Sequence, residues 1–143
     1  MIIEKVLGNL SSYPQDRRID ALKLEWFELD RKILRKFSSE GEDVGLRVKD
    51  PLRDGDVLFD DGHKVIAIEL APCQIIRVRA STKKEMGEIC LALGNRHIPA
   101  SISEDSAVAP FDSPAFDYLS SMGFNCEKAF EKFTGSKSRH AHD

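Results

Sequence analysis

Long apolar runs are missing from this sequence. No segment approaches the roughly 20 consecutive apolar residues that a membrane helix needs. The N-terminus, Met1-Ile2-Ile3-Glu4-Lys5, lacks the charged, apolar and small-residue order of a secretory signal. A cytoplasmic protein without a membrane segment is therefore expected. A basic stripe is missing too: the formal net charge is −3, with acids and bases interspersed. Nucleic-acid binding usually rests on phosphate neutralisation, so no nucleic-acid partner is expected. The most basic stretch, residues 30–36, alternates in a way that suits the solvent face of a strand.

Cysteine is scarce. Cys73, Cys90 and Cys126 are odd in number and widely spaced, which fits neither a disulfide framework nor a paired Cys-x-x-Cys zinc site. Apolar neighbours predict a small buried thiol at each position. The sequence also lacks a Gly-rich phosphate loop, a Gly-x-Ser-x-Gly elbow and a His-Glu-x-x-His pair. Its carboxylates are scattered in surface-like patterns. No catalytic residue is assigned, and an enzyme is not expected.

What remains is a foldable chain of 143 residues, 41% hydrophobic and 31% charged, long enough for one ordinary domain or two small ones. Its two halves differ in rhythm. In the first, Leu22, Leu24 and Trp26 alternate with Lys23 and Glu25, the period of a half-buried strand. Ile33 and Arg35 continue that alternation, and Ser39-Glu40-Gly41 supplies a turn before Val44. Asp61-Gly62, set between Val57-Leu58-Phe59 and residues 65–68, predicts a hairpin because glycine tolerates positive φ. A small all-β domain over residues 1–70 follows, with Ala71-Pro72 as the joint.

The second half begins with a strand over residues 74–79. Thr82 then stands three residues before Glu85, the spacing of a capping box. Met86, Ile89, Cys90 and Leu93 follow as one apolar helical stripe, and Gly94 is expected to close the helix as a left-handed cap. Two short strands over residues 98–102 and 107–111 come next. Ser113-Pro114 suits the start of a second helix with Phe116, Leu119 and Met122 on its face and Gly123 as its stop. A last strand lies within residues 124–133. The order is β-α-β-β-α-β, a ferredoxin-like domain over residues 72–133, so the whole is an α+β chain. Residues 134–143 are small and polar and read as a flexible tail.

The histidines are His63, His97, His140 and His142. His63 falls in the hairpin turn, where an exposed polar residue needs no special role. His97 sits just past a helix end, and one imidazole without nearby Cys, His or carboxylate partners does not make a zinc site. His140 and His142 form a His-x-His pair that can converge on one ion; imidazole suits nickel, copper and zinc.

The segment Gly94-Asn95-Arg96-His97-Ile98-Pro99 resembles the Gly-Asn-Arg-His signature of the urease accessory protein E family of nickel metallochaperones. The resemblance covers essentially the whole chain: a β-rich first half with a hairpin near Asp61-Gly62, the split β-α-β motif, and a tail bearing histidines. It implies a homodimer formed through the ferredoxin-like domain, in which His97 of each protomer binds Ni(II) across the two-fold axis. The tail histidines His140 and His142 are implied to complete or feed that site. Delivery to the urease apoprotein, with the urease accessory GTPase, is implied as well, as is a peptide-binding role for the β domain. Zn(II) or Cu(II) can occupy such imidazoles in vitro. Residues 98–139 contain no histidine, so the implied capacity is small. The alternatives are a zinc- or copper-binding regulatory protein, and a ferredoxin-like peptide-binding module in which His97 is incidental.

Overall fold

The computed structural model describes residues 1–135, so His140 and His142 lie outside the described residues. The chain is α+β and divides into two compact units, Met1–Ala71 and a second that begins at Pro72. Among the described residues no helix is long and apolar enough to cross a membrane.

The first unit has the strands β1 (Ile2–Ile3), β2 (Gly8–Asn9), β3 (Arg18–Leu24), β4 (Ile33–Phe37), β5 (Asp43–Arg47), β6 (Asp56–Asp60) and β7 (Lys64–Leu70), with single 3-10 turns at Leu10–Ser12 and at Trp26–Glu28, where the strand expected to run on to Trp26 has already ended. They form one sheet in the order β1-β5-β4 and another in the order β2-β6-β7-β3. Alternation decides which residues meet. Leu22 and Leu24 on β3 and Ile66, Ile68 and Leu70 on β7 face Val44, Leu46 and Val48 of the other sheet. Val57, Val65 and Ala67 point the opposite way and are covered by Leu10 and Tyr13. Strands β3 and β7 run parallel in unbroken register from Arg18↔Lys64 to Leu24↔Leu70. This explains why β7 is buried from Val65 to Ile68, as a strand covered on both faces must be. At the β6–β7 hairpin Gly62 has φ 92°, and Asp61 Oδ1 accepts from the amides of His63 and Lys64.

A buried carboxylate ties the unit together. Asp20 is 1% exposed; it accepts from Ser38 Oγ at 2.6 Å and from the Glu40 amide at 2.9 Å. Lys64 stands 3.8 Å away. The charge of Asp20 is therefore met on both oxygens, the condition for tolerating a buried carboxylate.

The second unit runs β8 (Cys73–Arg79), α1 (Lys83–Asn95), β9 (Ser101–Ile102), β10 (Ser106–Pro110), α2 (Ser113–Ser121) and β11 (Asn125–Glu131). Its sheet has the order β11-β8-β10-β9 with antiparallel neighbours. This is the split β-α-β-β-α-β order, with β9 only two residues long. Thr82 caps α1 by accepting from the Glu85 amide at 3.1 Å, while the Glu85 carboxylate accepts from the Ser81 amide at 2.7 Å. Ile89, Ala92 and Leu93 of α1 and Ala115 and Leu119 of α2 pack on Ile76, Val78 and Ala107 of the sheet. Each fully buried valine, leucine or isoleucine among these contributes about 1.5–3 kcal/mol.

Several expectations are corrected. Gly94 does not close α1, which continues through Asn95. The strand expected over residues 98–102 shrinks to Ser101–Ile102, because residues 98–100 complete the helix reversal and Pro99 has no amide to donate. Helix α2 begins at Ser113 as expected, and Asp112 caps it through the Ala115 amide at 3.0 Å. Met122 is 49% exposed, because it forms the cap rather than a further turn. The three cysteines form no disulfide among the described residues and are only half-buried: Cys90 flanks the inward face of α1, Cys73 opens β8, and Cys126 lies at the rim of the core.

Asp20→Ala strands the Ser38 hydroxyl and removes one of the three carboxylates around Lys64, leaving Glu40 and Glu42. It is expected to destabilise the first unit by about 2–3 kcal/mol, read as a lowered urea midpoint. Asp20→Asn, which keeps one acceptor, is expected to fall between the two.

Candidate metal centre

The residue that ends α1 is His97. A helix leaves its last carbonyls without partners, and a left-handed residue just past the end lets following amides turn back to satisfy them. Here the Ile98 amide donates to Leu93 O at 2.9 Å and the His97 amide to Gly94 O at 3.1 Å. That pair of bonds defines a Schellman motif with Arg96 as cap and His97 as the left-handed residue. The motif's apolar contact is present as well, since Ile98 packs on the cluster that holds Leu93.

His97 has φ 55° and is the one described residue other than glycine with positive φ. A left-handed backbone costs a residue with a Cβ about 1–2 kcal/mol. The same fold uses glycine for the same task elsewhere: the cap of α2 is followed by Gly123, with φ 87°. An imidazole at the equivalent place on α1 therefore costs stability and contributes nothing to packing, because His97 is exposed. Such strain concentrates at functional sites.

The neighbours of His97 restrict what it can do. The Arg96 guanidinium lies 4.0 Å from the centroid of the Tyr118 ring on α2, within cation–π range. On β11, burial pushes the Cys126 thiol up, against a hydrogen bond with Ser120. Among the described residues, no group of three or more His, Cys, Asp or Glu side chains is placed to hold an ion. His63 is an exposed turn residue of the other unit.

The end of the described chain is bonded to β9, the strand that follows this turn. Phe133 is 1% exposed, and the Ser101 hydroxyl donates to the Gly135 carbonyl at 2.6 Å. Ser101 is four residues beyond His97, a span of at most roughly 14 Å. Five residues separate Gly135 from His140, a reach of up to roughly 17 Å. His97 is therefore separated by only four residues from the position to which Gly135 is bonded, a link that sequence spacing alone does not disclose.

Comparison with known proteins follows the same division of the chain. Residues 3–71 match the family model described as UreE urease accessory protein, N-terminal domain. Residues 73–143 match the corresponding C-terminal domain. A urease accessory protein UreE of Flavobacterium johnsoniae is 36% identical over 138 residues, spanning 94% of this chain and 84% of that protein. One from Acetivibrio thermocellus is 36% identical over 137 residues, spanning 94% and 90%. One from Actinobacillus pleuropneumoniae is 35% identical over 136 residues, spanning 90% and 73%.

Replacing His97 by glycine relieves the left-handed strain. His97→Gly is expected to stabilise the second unit by about 0.5–1 kcal/mol, seen as a higher urea midpoint with unchanged circular dichroism. A destabilised variant would contradict the strain assigned to this residue.

Proposed function

Because the chain belongs to the UreE urease accessory protein family, we propose that it carries Ni(II) at a site shared by two protomers and delivers it for assembly of the urease active site. The observation that supports this reading is the exposed imidazole of His97, held on a strained turn at a cost that packing does not explain. Nickel is the cargo. Nickel accepts imidazole nitrogen, and a carrier must hold its ion with few enough ligands to release it.

One imidazole per chain is too few, and two-fold symmetry doubles it. In an isologous dimer the same residue enters twice at the axis, so two His97 rings meet at one ion. The helix leading to His97 suits such a contact. Leu91 is 65% exposed, and Gly87 and Gly94 stand one turn to either side on the same face. A Cβ built on either glycine meets no atom within 4 Å. Each glycine costs a helix interior about 1 kcal/mol relative to alanine, and close approach of a second copy gives that cost a purpose. His140 and His142 are the candidates for the remaining positions, and the tether from Gly135 is long enough for them to reach His97.

In this reading the urease apoprotein and the urease accessory GTPase are the partners, and the protein acts as a maturation factor with no catalytic residues. The first unit is assigned to peptide binding. Selection of nickel over zinc or copper does not follow from imidazole donors alone, since copper outranks nickel on the usual affinity order.

The test is nickel titration by calorimetry with the mass in solution measured in parallel. Wild type is expected to take about one tight ion per dimer, and His97→Ala to lose it while remaining dimeric. Tight binding that survives His97→Ala overturns the proposal. Removal of residues 138–143 is expected to weaken binding and leave the dimer, whereas Leu91→Glu is expected to shift the mass towards the monomer and weaken binding with it.

A further inference from the structure

Holding an L-residue in the left-handed region takes more than its own hydrogen bonds, because relaxation to an ordinary φ releases strain. Three contacts act on the turn that presents His97. The Schellman bonds fix the backbone from Leu93 to Ile98. Ile98 anchors the far side in the core. The near side is anchored by the Arg96 guanidinium on the Tyr118 ring, 4.0 Å from its centroid.

The ring stands on a fixed base. Tyr118 is half-buried against the core of the second unit. Its carbonyl accepts from the Met122 amide at 3.3 Å and from Ser121 Oγ at 2.7 Å, so it sits in the last, doubly bonded turn of α2. Arg96, by contrast, has an exposed side chain directly adjacent to His97. Among the described residues it forms no ion pair. A guanidinium left free there would loosen the turn and place a mobile positive charge beside a site for a divalent cation. Stacking ties the turn to α2 and fixes the charge on an aromatic face, so that it no longer moves freely.

We propose that Tyr118 is a positioning residue for metal binding: by stacking the Arg96 guanidinium it holds the left-handed turn that presents His97. The inference rests on the nickel-carrier reading of His97. It assigns no metal ligand to Tyr118, and its hydroxyl is not needed.

The test measures nickel affinity at 25 °C, with circular dichroism and thermal melting as controls for folding. Loss of an exposed cation–π contact corresponds to about a two- to fivefold loss for each turn. In a site built from two turns, Tyr118→Leu is expected to weaken binding by roughly 5- to 20-fold. Tyr118→Phe keeps the ring and is expected to bind within about twofold of wild type. In an Arg96→Met background, Tyr118→Leu is expected to cost nothing further, since the contact is already gone. A merely structural role for Tyr118 would leave affinity unchanged in the folded variant, or would give the same loss with and without Arg96. Either outcome overturns the inference, as does failure of phenylalanine to rescue. Wild-type binding that is indifferent to His97→Ala overturns the carrier reading itself, whatever the Tyr118 variants do.

Discussion

Reversing the chain at the end of α1 requires one residue with positive φ, and this protein places an imidazole there in preference to glycine. Much of the second unit's working geometry depends on that choice. The left-handed backbone turns Ile98 back onto Leu93, satisfies the open carbonyls of the helix, and leaves the intervening side chain outside. A histidine in the middle of α1 would be one surface residue among several. At the reversal it projects from the tip of a short, hydrogen-bonded turn, with neither rigidity nor access given up for the other.

The two units use polar groups differently. The first buries a carboxylate: Asp20 joins β3 to Ser38 and Glu40 beyond the end of β4, and Lys64 on β7 completes the cluster. Breaking such a cluster strands its members, so it favours one arrangement of the strands over alternatives. Among the described residues the second unit buries no carboxylate: Thr82 and Asp112 cap its helices, and Arg77 and Arg79 pair with Glu131 and Glu127 on its sheet. Its interior is aliphatic and aromatic.

Sequence patterns disclose those features whose causes are local. Thr82 before Glu85 marks the start of α1, and Asp61-Gly62 marks the β6–β7 hairpin, because a cap and a turn each depend on a few adjacent residues. The end of α1 is harder to place, and Gly94 is a misleading signal. Closing at Gly94 would bring polar Asn95 to the position that must touch the preceding apolar turn. Ile98 is the first residue able to make that contact, and it moves the reversal to His97. The apolar staple outweighs the glycine preference, and Ile98 was the available clue. The Arg96–Tyr118 stack lies beyond any pattern, because it joins residues on different elements brought together only by packing. The cysteines mislead for another reason: apolar neighbours in sequence do not imply an inward direction on a strand or helix.

The bond from Ser101 to the Gly135 carbonyl joins points 34 residues apart. Ser101 lies on β9 and Gly135 beyond β11, and these strands are the opposite edges of one sheet. The chain after β11 therefore returns to the far edge and clasps it, a link that pairing between neighbouring strands cannot supply. An edge strand of two residues has little pairing of its own to hold it. Its fraying and the release of Gly135 are accordingly one event, so the shortest strand of the sheet and the end of the described chain share a single fastening.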